Sequence, residues 1–282
     1  YEWNTVENVD SSWNQVNLVH RYANPIVFAT VNSENDAGSP KLAKIDNVGS
    51  ESFDLQFCEH EDTDGGCDVH SPEDVGYAVF ERDKIDEMSN IEAGTYNLSN
   101  SGGQPGDVYT INFGETFSNT PVVIVAQQTY NEAGESIVQV PSVTTSGFDV
   151  YLCDHQESNT ENCESHGTET IAWIAIDPSN NPLPDSEAGL TTSISDSDWT
   201  SQSFSYSFES APTVIASINS NNGGQEAKPS MARSITSSSM DIRYYEHDAG
   251  DSNDGHAAED VAWVAFESPG AYGESAKVFD ES

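Results

Sequence analysis

Six of the seven histidines fall in three copies of one pattern. The copies are Cys58–Phe80 (CEHEDTDGGCDVHSPEDVGYAVF), Cys153–Ile176 (CDHQESNTENCESHGTETIAWIAI) and Tyr245–Phe266 (YEHDAGDSNDGHAAEDVAWVAF). In each, an acid and a His leave one apolar run (His60, His155, His247), a polar loop follows, and His-x-x-Glu enters the next run. The entering pairs are His70 with Glu73, His166 with Glu169, and His256 with Glu259. Imidazole beside carboxylate supports three kinds of chemistry. One is a His–Glu hydrogen bond that ties the loop across the end of a fold, because a carboxylate at the rim of a core needs a donor. Another is a metal centre, in which two imidazoles and a carboxylate per copy suit zinc or another transition metal better than calcium. The third is a sugar pocket, with His and acid as hydrogen-bonding groups and Tyr or Trp as a stacking face.

Along an extended strand the side chains alternate between faces. Glu73 therefore shares a face with Val75 and Tyr77, Glu169 with Ile171 and Trp173, and Glu259 with Val261 and Trp263. Close upstream, Cys58/Cys67 and Cys153/Cys163 occupy equivalent places in copies one and two, whereas copy three has Tyr245 and no second Cys. Paired loss is the behaviour of a disulfide, so two loop-closing disulfides and an oxidising, extracellular setting are expected. Asn97-Leu98-Ser99 is the single glycosylation sequon.

The elements that carry these groups are strands. Trp13–Val19 alternates and reads as the first strand of copy one, while residues 1 to about 12 read as a tail, a linker or a strand lent to a neighbour. Ile26–Val31 is a continuous apolar run, as expected for a strand covered on both faces in the middle of a sandwich. Lys41–Val48, Phe53–Phe57 and Val75–Glu81 complete the unit. Copy two offers Tyr109–Phe113, Pro121–Ala126, Ile137–Val143, Phe148–Leu152 and Ile171–Ile176 in the same order. Copy three offers Phe204–Phe208, Pro212–Ile218, Ser230–Ile235, Met240–Tyr244 and Val261–Phe266. Pro25, Pro121 and Pro212 keep steps of 96 and 91 residues, the period of a small β-sandwich. Glu92-Ala93-Gly94 and Glu187-Ala188-Gly189 recur in the junctions, and Pro178, Pro182 and Pro184 stiffen the second. The expectation is an all-β protein of three tandem antiparallel β-sandwich domains of five to six strands, at residues 1–87, 88–183 and 184–282. No helical periodicity is evident.

Composition narrows the function. With 9 Lys plus Arg against 48 Asp plus Glu, the formal charge is −39. Nucleic acid and anionic membrane surfaces are excluded as electrostatic partners. Disorder is excluded by the 35% of hydrophobic residues gathered in strand-like runs. A folded protein with an acidic coat, suited to a high-salt environment, remains. No apolar stretch reaches the 18 residues of a membrane-spanning helix, and Tyr1 at the start reads as a mature or trimmed chain. The sequence has no nucleophile elbow, P-loop, dinucleotide fingerprint or metalloprotease helix, so no enzyme is expected.

Asn119-Thr120-Pro121-Val122-Val123, Thr145-Ser146-Gly147-Phe148-Asp149-Val150 and His166-x-x-Glu169 through Trp173-Ile174-Ala175-Ile176-Asp177 resemble the H-type lectins and their bacterial and archaeal surface-protein relatives. The resemblance extends over nearly the whole sequence as three copies. It implies six-stranded sandwiches that associate as trimers and bind N-acetylgalactosamine-like sugars at subunit borders. Repeat one departs at Gly49–Phe53, and repeat three has Met240 where Phe is expected. The expected function is a non-catalytic, extracellular surface or adhesion protein that binds a cell-surface glycan. The alternative is a structural subunit of a filament, surface layer or virus fibre, with neighbouring copies as partners in an oligomer or polymer. No cofactor is expected, a divalent metal on the His/Glu sets being the open alternative.

Overall fold

The computed structural model describes residues 1–36, 41–59, 71–85, 87–102, 106–132, 135–155, 163, 165–224, 227–245 and 257–268. Among these residues, eighteen strands form six three-stranded antiparallel sheets. Unit one holds β1 (Glu2–Val9), β2 (Asn14–Asn17), β3 (Pro25–Val31), β4 (Lys41–Asp46), β5 (Ser52–Glu59) and β6 (Glu73–Glu81). Unit two holds β7 (Ile91–Asn100), β8 (Tyr109–Asn112), β9 (Val122–Gln127), β10 (Glu135–Thr144), β11 (Gly147–His155) and β12 (His166–Ile176). Unit three holds β13 (Ser186–Ile194), β14 (Thr200–Ser203), β15 (Thr213–Ile218), β16 (Ser230–Arg233), β17 (Ser239–Tyr244) and β18 (Glu259–Phe266). Each unit repeats one plan. An axial sheet places the sixth strand between the first and third (β1-β6-β3), and an outer sheet places the fifth between the second and fourth (β2-β5-β4).

The continuous apolar runs have two covers, and only one of them is a sandwich. Val75, Tyr77 and Val79 point into the core of unit one with Phe53, Leu55 and Phe57. Trp173 and Trp263 fill the same place in units two and three. The alternate side chains meet those of the other two units. Phe28, Ala78 and Phe80 converge with Ile124, Ile174 and Ile176 and with Ile215, Val264 and Phe266, three corresponding residues from each unit. The three axial sheets therefore share one apolar core on a pseudo-threefold axis. The molecule is a trimer of sandwiches written in a single polypeptide.

Three sequence expectations need correction. Residues 2–9 are neither a tail nor a strand lent elsewhere. They form β1, hydrogen-bonded along β6 of the same unit from Glu2↔Val79 to Val9↔Glu73, with Trp3 fully buried. Trp13–Val19 accordingly supplies the second strand and not the first. The Glu-Ala-Gly triplets, read as junctions, lie inside the equivalent strands β7 and β13. Each Gly stands opposite a Trp (Gly94↔Trp173, Gly189↔Trp263), and a Cβ there would lie 2.8 Å and 2.4 Å from the indole. In unit three, Phe204–Phe208 is a loop whose rings pack on one another at 5.1 Å, and the strand precedes it. One helical turn, Arg82–Ile85, lies in the first junction. Pro178–Asn180 forms a 3₁₀ turn capped by Asp177 in the second.

The edges facing the axis are closed by side chains of the neighbouring unit. Gln128 accepts from Val27 N (2.9 Å) and donates to Val27 O (2.7 Å). Asn219 does the same to Val123 (2.8 and 2.7 Å), and Asn32 to Val214 (3.0 and 2.9 Å). Unit two thus clamps unit one, unit three clamps unit two, and unit one clamps unit three. Each carboxamide replaces one residue of a missing strand, which blocks edge-to-edge pairing. A hydroxyl adds to two clamps: Thr30 Oγ1 accepts from Ala216 N (2.9 Å) and Ser217 Oγ from Val125 N (3.1 Å). The third position is Ala126, beside a cavity of about 70 Å³ that Ala29 and Ala126 help to line. Ala126→Ser should restore the bond to Ala29 N and stabilise the protein by about 1 kcal/mol. A shift of the urea midpoint at fixed salt measures it, and no shift or a loss rejects the equivalence.

Candidate functional site

The repeated glutamates lie at or within three residues of the start of the last strand of each unit and are completely buried. Glu73 accepts from Ser33 Oγ (2.5 Å), Asn35 N (2.9 Å) and Asp36 N (3.4 Å). Glu169 accepts from Thr129 Oγ1 (2.5 Å), Asn131 N (2.8 Å) and Glu132 N (3.1 Å). Glu259 accepts from Ser220 Oγ, Asn222 N (3.0 Å) and Gly223 N (3.1 Å). The same Asn returns a bond from its amide to the carbonyl just before the Glu, at Pro72, Thr168 and Ala258. Each carboxylate therefore staples the loop after the third strand onto the start of the sixth.

The side chain beside the carboxylate differs between units. His166 Nε2 lies 3.3 Å from Glu169, as the sequence suggested for this copy. In the other two, Lys41 Nζ lies 3.2 Å from Glu73 and Lys228 Nζ 2.8 Å from Glu259, both buried pairs. Strand pairing puts Ser136 at the place of Lys41 in unit two, where an imidazole stands beside the carboxylate in place of an ammonium. Desolvation pushes the Glu259 carboxyl up, but Lys228, the Ser220 hydroxyl and Asn222 N–H outweigh it and hold it below its usual range. The groups facing these carboxylates are N–H, O–H and ammonium, which fit an anion and repel a metal ion. Among the described residues no cluster of three or more His, Cys, Asp or Glu is placed to hold a metal.

His60, Cys67, His70, His247 and His256 lie outside the described residues, as does the side chain of His155. Cys153 and Cys163 are disulfide-bonded (S–S 2.08 Å), and Cys58 is disulfide-bonded too. Asn97 is exposed on the outer edge strand β7, where its side chain accepts from Thr170 Oγ1 (3.1 Å).

Sequence reasoning missed the groups that meet between units. Two residues past the clamps stand Tyr130, Glu34 and Asn221, of which Tyr130 and Glu34 reach the neighbouring unit. At the 1–2 border, Tyr130 N donates to Asp46 (3.2 Å), Lys44 Nζ donates to the Tyr130 hydroxyl (2.6 Å), and half-exposed Trp13 packs edge-on to the ring at 5.9 Å. At the 3–1 border, Glu34 pairs with Arg233 and accepts from the Tyr245 hydroxyl (3.0 Å). Arg233 covers the Trp199 ring (4.2 Å) and Arg243 covers Tyr245 (3.9 Å). Burial, helped by Glu34 and opposed by Arg243, pushes the Tyr245 hydroxyl up to about 12, so it remains a donor at neutral pH. Strand register places Val108, Ser142 and Asn221 at the corresponding points of the 2–3 border. There the Cys153–Cys163 bridge packs with Tyr151 against Ala227 of unit three. The detectable signal was the triplet Asn32-Ser33-x-Asn35, Gln128-Thr129-x-Asn131 and Asn219-Ser220-x-Asn222, which holds the same period as the histidines.

An H-type lectin domain matches residues 108–176, the greater part of unit two. Halomucin of Haloquadratum walsbyi (strain DSM 16790 / HBSQ001) is 28% identical over 262 residues, which is 89% of this chain and 3% of halomucin. The sequence thus spans only a small part of that relative's length. No solved structure matches it. Unit two is thus similar to an H-type lectin domain over residues 108–176, and its six-stranded plan is repeated in units one and three.

Proposed function

We propose that the protein is a non-catalytic, extracellular surface module of a salt-adapted organism that binds cell-surface glycan at its unit borders. The observation that carries this is the contrast between borders built on one plan. The 1–2 and 3–1 borders each combine a Trp (Trp13, Trp199) with charged and phenolic groups, whereas the 2–3 border has Val108 in place of the Trp. There Tyr151 is buried against Ala227, and neutral Gln139, in the place of Lys44, donates to the Lys228 carbonyl (3.0 Å). An aromatic face beside hydrogen-bonding groups is the chemistry that takes a sugar ring. The resemblance to H-type lectins, which bind sugars at subunit borders, supports this location. The buried His166/Glu169 and Lys/Glu pairs then shape the loops and do not touch the ligand. The extracellular setting is supported by the disulfide and by the relative's name.

A glycan array probed in molar salt tests this. Binding should fall at least tenfold in Trp13→Ala or Trp199→Ala, with the far-UV spectrum unchanged. Wild-type protein that binds no glycan, or binding indifferent to both changes, would overturn the reading.

A further inference from the structure

The first strand of each unit forms the outer edge of its axial sheet, and the three edges are not finished alike. The stapled glutamate pairs with Val9 on β1, with Leu98 on β7 and with Ile194 on β13. Just before this pair, units one and three crowd two edge residues opposite one. Glu7 and Asn8 lie against Asp74, and Thr192 and Ser193 lie against Asp260. Asn8 and Ser193 each have φ of 57°, and their N–H groups donate to the aspartate opposite (3.1 and 3.0 Å). These are pinned β-bulges, which bend an edge strand and turn it away from pairing with another molecule.

Unit two departs from this plan. Its irregularity lies in the central strand, between His166 and Glu169, and β7 runs in unbroken register from Ile91 to Leu98. A single residue, Asn97, stands where the other edges have two, and Thr170 stands in place of the aspartate. Thr95, Tyr96 and Asn97 are all exposed. A regular, exposed edge is open to pairing unless something covers it. Asn97 also opens the sequon Asn97-Leu98-Ser99. Thr170 Oγ1 donates to its Oδ1 (3.1 Å), whereas its Nδ2, the atom a glycan takes, has no protein acceptor among the described residues. We propose that Asn97 carries an N-linked glycan, which covers the outer edge of unit two where bulges protect those of units one and three. A bulky, hydrated chain suits a surface strand. The donor is a polyisoprenyl-phosphate-linked oligosaccharide held by a transferase. The bond from Nδ2 to the anomeric carbon forms and the anomeric C–O bond to phosphate breaks. The phosphate leaves with the bonding pair, and the amide gives one proton to the transferase. This inference is independent of binding at the unit borders, since the sugar is one the protein bears.

Two measurements test the two halves of the proposal. The full chain is secreted from a salt-adapted host whose own N-glycoproteins serve as the positive control, and its peptides are mapped by mass spectrometry. The peptide holding Asn97 should carry the mass of the host glycan in most molecules, and Ser99→Ala should remove it. An unmodified wild-type peptide beside a glycosylated control overturns the proposal. The covering role is read from Asn97→Gln, with its far-UV spectrum unchanged. This variant should form concentration-dependent dimers or larger species by light scattering in molar KCl, and adding Tyr96→Lys, a charge on the bare edge, should return it to the monomer. Asn97→Gln that stays monomeric at every concentration, or association that Tyr96→Lys leaves unchanged, overturns that role.

Discussion

Lys228→Met is expected to destabilise the protein by about 3–5 kcal/mol, because it leaves Glu259 charged and buried without its counter-ion. The side chains of Lys228 and Glu259 are 1% and 0% exposed. Solvent cannot replace the ammonium. Removing the carboxylate instead is not equivalent, since Asn222 N, Gly223 N and the Ser220 hydroxyl all donate to it. Lys228→Met combined with Glu259→Gln keeps an acceptor for those donors while removing both charges, and should recover most of the loss. Urea titrations in molar KCl compare the three proteins. A single variant within about 1 kcal/mol of wild type would contradict the buried-pair account. The same carboxylate predicts a pH effect. Its folded pKa is lowered, so its contribution is complete above the ordinary carboxylate range and is lost as pH falls through the lower, folded value. Acid sensitivity below about pH 4.5 should therefore weaken in the double variant.

How far the sequence disclosed this structure depends on the range of each interaction. The repeat made β5, β11 and β17 legible as equivalent strands. The apolar runs of β3, β9 and β15 required two covers, and that was legible, but the second cover was assigned to a sandwich middle. It comes from the other units across the axis. Nothing local in Ile26–Val31 distinguishes these alternatives, since both bury the same side chains. The first strands were lost for a different reason: β7 and β13 carry Gly94 and Gly189, which read as junction residues until their indole partners are known.

At the staple, local spacing pointed each Glu to the His three residues before it. This holds in unit two, where no lysine occupies the place of Lys41. In units one and three the partner found is a lysine 32 or 31 residues away in sequence, brought beside the Glu by the fold. The loss of cysteines in repeat three was legible as a paired event. What replaced them, Tyr245 reaching Glu34 of unit one, was not, because the two residues are 211 positions apart.

Transfer from molar salt to dilute buffer is expected to unfold the protein, and the staples show why the acidic coat, not the core, sets that limit. Glu2, Glu92 and Glu187 accept from backbone N–H groups at Val19, Gly114 and Ser205, and Glu81 and Glu267 cap Ala23 and Glu209. With the stapled glutamates and Asp177, these acids have donors inside the fold, so their charge is compensated at any ionic strength. With 9 basic residues against 48 acids, the protein as a whole keeps a large uncompensated negative charge. Two unscreened charges 10 Å apart in water repel by about 0.4 kcal/mol. Summed over the neighbours of a −39 surface, this rivals the ~5–15 kcal/mol that holds a domain folded. At ~0.1 M salt the Debye length of about 10 Å leaves roughly a third of each such term, whereas at ~1 M, with about 3 Å, only a few per cent survives. The unit borders should fail first. Their clamps lie between bodies of like charge, while each sandwich is held by its own ladder and core. Tryptophan emission from Trp3, buried in the shared core, is therefore expected to red-shift at a higher salt concentration than the far-UV signal collapses. Coincident transitions would mean that units and ring form one cooperative structure, and an unchanged spectrum in dilute buffer would refute the repulsion argument itself.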